Sequence, residues 1–353
     1  MGEQPDKRYR SDALEQFCRN VFIRSGFSAK DAAVAADSLV RADLEENGSH
    51  GISRLPIYVR RIQEGRIAAK PDIRMQHHGN IVHVDGGNGL GQVVCVRALE
   101  EAVPLARDAG ISMVLIRGSN HFGTAAYYCQ LACEQKLALV AVTNSPPGIA
   151  PWGGKKAYLG TNPIAFGFPI RSGPPLIVDM SSSVVARGNI ILANKQNKPI
   201  PEGWAIDEEG RPTTDAAAAL RGAVLPLGGP KGYALAMAVE MMSAVLTGAA
   251  FGPRVGNLYQ EHDPPADVGH AFILMNIGKW MELEPYYDRM DLFTSEIKSA
   301  PLSAQANEIL IPGERRHRTR LLNQSRGIAL SAEVASELQA LGAACGTAFP
   351  DAI

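Results

Sequence analysis

The sequence lacks the features that would tie it to a membrane, a nucleic acid or an oxidising compartment. No apolar run reaches the ~20 residues that span a bilayer, and the charged residues 1–8 contain no apolar signal segment. The formal net charge is only -1 at pH 7, which gives no electrostatic reason for a nucleic-acid partner. Five cysteines form an odd set without a C-x-x-C pair, as expected for reduced thiols. We therefore predict a cytoplasmic globular protein.

Two common nucleotide-binding signatures are also missing. Gly87-Asn88-Gly89-Leu90-Gly91 follows an apolar run at 81–84, but its third glycine comes one place too early for G-x-G-x-x-G. The acidic residue about 20 places further on, Asp108, falls inside a predicted helix rather than at a strand end. In the stretch 226–233, Tyr233 stands where a phosphate-binding loop of the Walker type needs Ser or Thr. A dinucleotide would therefore need another scaffold.

What the chain does have is a glycine-rich helix entry. Leu227-Gly228-Gly229-Pro230-Lys231-Gly232-Tyr233 precedes an apolar helical pattern. Three glycines and a lysine at a helix start favour an anion such as phosphate, because unpaired backbone N–H groups and the helix dipole attract negative charge there. The alternative is a helix entry that packs tightly and binds nothing.

The apolar periodicity indicates a helical start followed by a mixed α/β core. At 353 residues the chain should form about two domains. The first ~65 residues carry a helical pattern, with Ser28 and Asp31 as a capping pair and Ser53 as the cap of a third helix. Later strands and helices alternate. Strands are predicted at 81–84, 113–116, 137–142, 164–168, 176–178 and 271–276, and helices at 93–109, 125–135, 231–245 and beyond Ser331.

One candidate site is the polar turn Ser49-His50-Gly51. Arg54 and Tyr58 follow it four residues apart, so they project from one helix face that begins beside His50. An imidazole can move a proton, a guanidinium can bind a carboxylate at two points, and the Tyr58 phenol can help to bind and orient the substrate. This set suits a 2-oxo or 2-hydroxy acid. The alternative is a histidine that caps the helix and an arginine that is solvated.

Two further polar stretches follow apolar strands. His121 lies in Gly118-Ser119-Asn120-His121-Phe122-Gly123, where the glycines allow close backbone approach. Asp179 ends the run Leu176-Ile177-Val178 and could orient an imidazole or bind ribose hydroxyls, while the serines after it could cap a helix or meet phosphate.

No metal centre is predicted. The pair His77-His78 has no third ligand at metal spacing, so we expect a solvated turn there. Cys129 and Cys133 could share a helix face, but no histidine or carboxylate of zinc spacing accompanies them, and we expect small core residues.

Taken in order, these segments resemble the malate/L-lactate dehydrogenase family of the sulfolactate dehydrogenase type. That family also holds ureidoglycolate dehydrogenase, diketogulonate reductase and the piperideine-2-carboxylate reductases. The resemblance covers roughly residues 11 to 341. It is carried by Ser49-His50-Gly51 with Arg54 and Tyr58, Gly118 to Gly123, Gly160-Thr161-Asn162-Pro163, Val178-Asp179-Met180-Ser181, Ala186-Arg187-Gly188, Pro226 to Tyr233, Leu246-Thr247-Gly248-Ala249, Gly269-His270 and Ile311-Pro312-Gly313-Glu314.

The resemblance implies an α/β fold of the α+β type. Residues 76–315 would form a non-Rossmann NAD(P)-binding domain with a largely antiparallel sheet. Residues 1–75 and 316–353, from both chain ends, would form a helical domain. The family implies homodimers with the site near the interface.

The implied function is an NAD(P)-dependent oxidoreductase that transfers a hydride between nicotinamide and a 2-oxo or 2-hydroxy acid of the malate, lactate or sulfolactate type. The expected coenzyme is NAD or NADP, and the expected partner is a small carboxylate. One alternative is a reductase of a cyclic 2-imino acid. Alternatives from other classes are a non-catalytic nucleotide-binding protein and a metal-dependent hydrolase or aldolase.

The resemblance also implies residue roles. His50 would be the proton donor, with Ser49 and Asp179 in its relay and Arg54 on the substrate carboxylate, and His121 is the second candidate for the acid/base role. Asn189 stands where members of the family commonly carry lysine, which weakens the case for NADP. Cofactor contacts are expected from Asp179, Met180, Ser181, Lys231, Gly232, Gly313, Glu314 and Arg315.

Overall fold

A computed structural model describes residues 6–260 and 264–353, so residues 1–5 of the predicted helical domain lie outside it. The described part of the chain begins with β1 (Lys7–Tyr9), α1 (Ser11–Arg24), α2 (Ala29–Leu44) and α3 (Leu55–Gln63), and two 3-10 turns, Gly48–His50 and Ile52–Arg54, precede α3. The predicted cap at Ser28 is confirmed, because its Oγ accepts the Asp31 N–H at 3.1 Å. The cap predicted at Ser53 is wrong. Its Oγ donates to the Gly48 carbonyl at 2.8 Å, before α3 has begun.

The central part of the chain alternates strands and helices much as predicted. In order it contains β2 (Arg74–His78), β3 (Ile81–Asp85), α4 (Gly91–Ala109), β4 (Ile111–Ser119), α5 (Ala125–Glu134), β5 (Ala138–Thr143), β6 (Ile164–Phe168) and β7 (Leu176–Met180). The turn predicted at His77-His78 is wrong, because both residues lie on the exposed edge strand β2 and pair with β3. Cys129 and Cys133 are buried, as predicted.

A small excursion follows β7. It consists of α6 (Arg187–Lys195), β8 (Ala205–Ile206), β9 (Pro212–Thr213), α7 (Ala216–Arg221) and β10 (Ala223–Val224). The three short strands form their own sheet in the order β10-β8-β9. A separate apolar cluster that includes Ile190, Ile200 and Ala205 stabilises this unit. The apolar periodicity of the sequence predicts no helix or strand in this segment.

The last third of the chain holds most of the remaining helices. In order it contains α8 (Pro230–Glu240), a π-helical turn (Met241–Val245), β11 (Val268–Met275), α9 (Ile277–Trp280), α10 (Leu283–Lys298), α11 (Glu314–Arg326), β12 (Ile328–Leu330) and α12 (Ala332–Cys345). The predicted helix 231–245 and the predicted terminal helix are confirmed. Among the described residues, no helix combines the length and hydrophobicity of a membrane span.

Seven strands form the main sheet, in the order β2-β3-β4-β11-β5-β6-β7. Only β3 and β4 pair in parallel, and the other neighbours in this sheet are antiparallel, as the largely antiparallel prediction requires. Helices α4 and α5 cover one face, where they pack on residues such as Val114 and Phe272. The other face packs on Val239 of α8. Burial of apolar side chains on both faces is what stabilises the sheet.

The two chain ends pack together. Lys7 of β1 pairs with Leu330 of β12, and Leu14, Leu39 and Leu338 belong to one buried cluster of the terminal helices. Whether this cluster is a domain with the predicted limits stays a prediction. The proposed boundary after residue 315 falls in the first turn of α11.

Candidate active site

His50 ends the first 3-10 turn, and the second 3-10 turn, Ile52–Arg54, separates it from α3, which carries Tyr58. The Ser49 hydroxyl lies 2.9 Å from His50 Nδ1. Arg54 Nε donates to the Ser49 carbonyl at 2.6 Å. The structure therefore brings Ser49, His50 and Arg54 together within a few residues of chain. The second ring nitrogen of His50, Nε2, makes no hydrogen bond within the described chain.

The turn that carries His50 rests on a buried carboxylate. The Ile52 N–H donates to Asp43 Oδ2 at 2.7 Å. A Cβ added to Gly51 would lie 2.0 Å from Asp43 Oδ1, so only glycine allows the turn to approach the carboxylate this closely. Burial raises the pKa of Asp43 to about 7. Sequence reasoning missed Asp43, which it read only as part of a helix.

His121 lies in the loop between β4 and α5, and its ring is held at one nitrogen. The Tyr58 hydroxyl lies 2.6 Å from His121 Nδ1, and the Gln92 side chain donates to that hydroxyl at 3.3 Å. Burial raises the pKa of Tyr58 to about 12, so the phenol keeps its proton. The Gly123 N–H donates to His121 Nδ1 at 3.4 Å, so this nitrogen is an acceptor and the phenol donates to it. This network assigns the ring proton of neutral His121 to Nε2.

The two imidazoles stack on each other. The ring centroids of His50 and His121 are 5.4 Å apart, with the planes inclined by 29°. Burial, followed by the charges of Arg54 and Arg316, lowers the pKa of His50 to about 4. Burial, followed by Arg54 and His50, lowers the pKa of His121 well below its usual value. Both rings are therefore neutral at pH 7 when no substrate is bound.

Asp179 lies at the end of β7, beside the start of α5. Its Oδ2 accepts the Ala126 N–H at 3.1 Å and lies 3.4 Å from Arg316 Nη1. The same Nη1 lies 3.5 Å from Glu45 Oε2. The contacts of Asp179 thus do not include His50, so its part in a proton relay stays a prediction.

Arg316 was missed by the sequence reasoning, which chose its neighbour Arg315. Within the described chain Arg315 is exposed and makes no hydrogen bond or ion pair. The only signal in the sequence was position, two residues beyond Gly313-Glu314. Since both arginines lie in one polar run, spacing alone could not show that Arg316 is the one that contacts Asp179. The coenzyme contact expected of Arg315 stays a prediction.

Several predicted coenzyme segments are joined to one another by backbone hydrogen bonds. The Ser182 N–H donates to the Thr161 carbonyl at 2.8 Å, and the Leu227 N–H donates to the Ser182 carbonyl at 2.9 Å. These bonds join the turn at Thr161, the stretch after Asp179 and the glycine-rich entry. A Cβ at Gly232 would lie 2.2 Å from the Leu227 carbonyl oxygen, so the first turn of α8 packs directly on this loop.

The glycine-rich entry fits a phosphate group. Gly228 has a φ of +60°, and a Cβ there would meet nothing within 4 Å, so its backbone is open. Lys231 in the first turn of α8 is exposed and has no hydrogen bond or ion pair among the described residues. Open amides, a helix start and a free ammonium together favour an anion.

The remaining predicted coenzyme residues lie at the end of β7 and at the start of α11. The Ile177 N–H donates to the Pro312 carbonyl at 3.0 Å, which places Gly313 beside the strand. The Glu314 carboxylate accepts hydrogen bonds from within the protein, from Lys298 Nζ at 2.5 Å and from the Ile311 N–H at 3.0 Å. A cavity of about 180 Å³ lies beside Gly313 and Arg316. Met180 is exposed, and the Ser181 hydroxyl lies 3.0 Å from that of Ser183.

His270 on β11 anchors the loop that carries His121. It is fully buried, with Nδ1 2.7 Å from Thr143 Oγ1 and Nε2 2.9 Å from Ser119 Oγ. Phe122 stacks on its ring at 4.6 Å with an interplanar angle of 7°. The sequence offered only the dipeptide Gly269-His270, without its contacts.

Stacked neutral imidazoles, a guanidinium and, elsewhere in the chain, a glycine-rich helix entry that suits a phosphate are the groups expected of an oxidoreductase that uses a nicotinamide coenzyme on a small acid. The model of the malate/L-lactate dehydrogenase family matches residues 9–339. The chain therefore belongs to the malate/L-lactate dehydrogenase family, and the sequence-based identification is confirmed.

Named relatives agree with this assignment. L-sulfolactate dehydrogenase of Methanocaldococcus jannaschii is 40% identical over 90% of this chain and 89% of its own. The (2R)-3-sulfolactate dehydrogenase (NADP(+)) of Chromohalobacter salexigens is 38% identical over 88% and 90%. Ureidoglycolate dehydrogenase (NAD(+)) of Escherichia coli O157:H7 is 32% identical over 86% of each chain. The solved sulfolactate dehydrogenase of M. jannaschii superposes with a TM-score of 0.91, at 37% identity, over 97% of this chain and 98% of that one.

These relatives confirm the predicted enzyme class. The chain is a dehydrogenase, and the expectation of NAD or NADP is confirmed at that level, because the relatives are named for one or the other. Among the described residues, no group of three His, Cys, Asp or Glu side chains is arranged to hold a metal ion.

Proposed function

We propose that the chain interconverts a 2-hydroxy acid of the malate or sulfolactate type and its 2-oxo acid, with a nicotinamide coenzyme. The observation that carries this proposal is the stacked pair His50 and His121, with Arg54 one turn away on the same short segment. The names of the sulfolactate and malate dehydrogenase relatives support the substrate class. They favour it over the cyclic imino acid alternative, which would use the same carboxylate and proton contacts.

The coenzyme would be held by the glycine-rich entry from Gly228 to Gly232 with Lys231, by Asp179 to Ser181 at the end of β7, and by the turn at Gly313. When bound, the nicotinamide supplies or accepts the hydride. Asn189 is exposed near the start of α6 and brings no positive charge, which supports NAD over NADP. The non-Rossmann character of this half of the chain is part of the proposal.

Arg54 binds the substrate carboxylate, and His50 moves the proton at Nε2. Because the charge of Arg54 helps to lower the pKa of His50, a carboxylate that pairs with Arg54 raises that pKa again and lets the imidazole take up a proton. The protonated ring then stabilises negative charge on the substrate oxygen and protonates it. Ser49 at Nδ1 keeps the ring in this orientation.

We include in the proposal that the protein is a cytoplasmic homodimer. Met237, Met241 and Val245 recur every four residues along α8 and the π-helical turn and are 40%, 45% and 48% exposed. Such an apolar stripe is typical of an interface, and a second copy of the chain is its proposed occupant. Met241→Glu should shift the purified protein from dimer to monomer in light scattering, and an unchanged mass would remove this stripe from the interface.

The catalytic proposal is tested by oxidation of malate, sulfolactate and lactate with NAD and NADP, followed at the nicotinamide absorbance. We expect turnover with at least one acid and a rise in its KM of about tenfold or more in Arg54→Lys, since an ammonium cannot reproduce the two-point contact. Coenzyme binding without turnover on any acid would instead support a non-catalytic nucleotide-binding protein. An unchanged KM would remove Arg54 from carboxylate binding.

A further inference from the structure

Arg61, a buried arginine on α3, holds the loop of residues 257–260 against the candidate active site. Arg61 is 3% exposed, and its guanidinium donates to the carbonyls of Leu258 at 2.8 Å, Asn257 at 2.8 Å and Gln260 at 2.5 Å. The loop is tightened by the Tyr259 N–H, which donates to Asn257 Oδ1 at 2.9 Å. Three backbone carbonyls on one fixed guanidinium leave this loop little freedom.

One side chain of this loop, Tyr259, contacts Arg54. Arg54 Nη1 donates to the Tyr259 hydroxyl, and the guanidinium carbon lies 5.3 Å from the centre of the Tyr259 ring. Arg54 and Arg61 are seven residues apart, so they lie on the same helix face. Arg61 on that face holds the loop, and the loop contacts Arg54. Nothing in the local sequence pairs residues 54 and 259, which are 205 positions apart.

We propose that Tyr259 is a substrate-binding residue that receives the same carboxylate as Arg54. This inference rests on the proposed function, in which Arg54 is the carboxylate anchor. The Tyr259 hydroxyl accepts a hydrogen bond from Arg54, so its own proton is free to be donated to an acceptor. An ionised carboxylate oxygen beside the guanidinium is the acceptor that this geometry suits.

The donors of Arg54 point to the same arrangement. Of its five N–H groups, Nε is used by the Ser49 carbonyl and one Nη1 proton by Tyr259. A carboxylate therefore cannot take the Nε side of the fork and must bind at the Nη end, where Tyr259 stands. Tyr259 is 59% exposed, so its hydroxyl is reachable by a ligand that enters from solvent. The guanidinium of Arg54 and the phenol of Tyr259 therefore bind the carboxylate together.

The test is the variant Tyr259→Phe, which removes one hydroxyl and keeps the ring. We expect KM for the 2-hydroxy acid to rise about tenfold, in line with one lost hydrogen bond to a charged group, while kcat and the Kd of the coenzyme stay unchanged. Because the contact is to the carboxylate common to all 2-hydroxy acids, the factor should be the same for lactate as for malate. Gln260→Ala is the matched control, since it keeps the backbone carbonyl that Arg61 binds and should leave KM unchanged.

A second variant tests the loop. Arg61→Lys keeps the charge but loses the fork, so KM should rise as in Tyr259→Phe, and the double variant should be no worse than Arg61→Lys alone, as expected for two residues that act through one contact. If Arg61→Lys does not fold, Tyr259→Phe alone decides.

Two results would overturn the inference. One is an unchanged KM in Tyr259→Phe together with a raised KM in Arg54→Lys, which would leave the proposed function standing without Tyr259. The other is a KM that rises for malate and not for lactate, which would place Tyr259 on a second acid group instead. An unchanged KM in both Tyr259→Phe and Arg54→Lys would point to failure of the proposed function itself.

Discussion

The imidazole rings of His50 and His121 stack 5.4 Å apart, yet each is held differently. His121 has Nδ1 fixed by the Tyr58 phenol at 2.6 Å, whereas among the described residues the His50 ring is hydrogen-bonded only to the Ser49 hydroxyl, at 2.9 Å. Two adjacent imidazoles do not both take up a proton readily, because each charge disfavours the other. We therefore expect the more loosely held ring, His50, to be the one that changes its protonation during turnover.

The first prediction separates the two rings. His50→Gln should lower kcat about 100-fold, within the range for loss of a general acid or base, while the Kd of the coenzyme stays unchanged. His121→Gln should lower kcat by only about tenfold, because a positioning partner and not the proton donor is removed. Steady-state kinetics and the fluorescence of bound NADH or NADPH provide both readouts. A larger loss in His121→Gln than in His50→Gln would exchange the two roles.

The second prediction concerns pH. The pKa of His50 is lowered to about 4 by burial and by the charges of Arg54 and Arg316, so the protonated form that reduction requires is a minor one at neutral pH. For reduction of the 2-oxo acid, kcat/KM should therefore fall about tenfold per unit from about pH 5 to about pH 8, since kcat/KM reports the form that meets the substrate. A curve that stays level up to about pH 6.5, the ordinary value for histidine, would contradict the lowered pKa.

The sequence predicted the parts of the site that are local in the chain. Ser49, His50, Arg54 and Tyr58 lie within ten residues, and a helical spacing of four is enough to align the last two. His121 was found because it follows an apolar strand and lies between glycines. In each case the neighbours that matter are fixed by short-range geometry.

The missed contacts are those made by distant segments. Tyr259 reaches Arg54 across 205 positions, His270 reaches Ser119 across 151, and Arg316 reaches Asp179 across 137. Strand β11 enters the sheet between β4 and β5, an insertion that no pattern in one sequence reveals. Helix α11 was missed for a different reason. It has five arginines in thirteen residues, so it lacks the apolar stripe by which amphipathic helices are recognised.

The third prediction distinguishes two adjacent arginines. Arg316→Met should lower the free energy of unfolding by about 3–5 kcal/mol, because it leaves two carboxylates without their shared partner. The side chains of Glu45 and Asp179 are only 4% and 12% exposed. Arg315→Met should leave stability unchanged and weaken only the binding of coenzyme. Urea unfolding measures the first effect and fluorescence titration the second.

A rescue variant checks the cause. Adding Glu45→Gln to Arg316→Met removes one of the stranded charges, so part of the lost stability should return. Equal stability of the Arg315→Met and Arg316→Met proteins would show that the bridge from α11 to β7 contributes nothing measurable.

The fourth prediction follows from Asp43 beneath the His50 turn. Burial raises its folded-state pKa from the ordinary value of 3.8 to about 7, so between these values the folded state holds a proton that the unfolded chain has already lost. Asp43 therefore costs the folded protein no stability below about pH 4. Between about pH 4 and about pH 7 the free energy of unfolding falls by about 1.4 kcal/mol per pH unit, and above that the loss stays constant at roughly 4 kcal/mol. Stability should fall as pH rises through this window.

Asp43→Asn tests this sign, because an amide can still accept the Ile52 N–H but cannot ionise. Urea unfolding at about pH 5 and about pH 7.5 should show a loss of stability in the wild type that is smaller in the variant by roughly 3 kcal/mol. Asp72→Asn, which changes an exposed carboxylate with a side chain 75% accessible, should keep the wild-type dependence. If the free energy of unfolding depended on pH in the same way for wild type and Asp43→Asn, Asp43 would ionise without a loss of stability. The negative charge would then stabilise the close approach of Gly51.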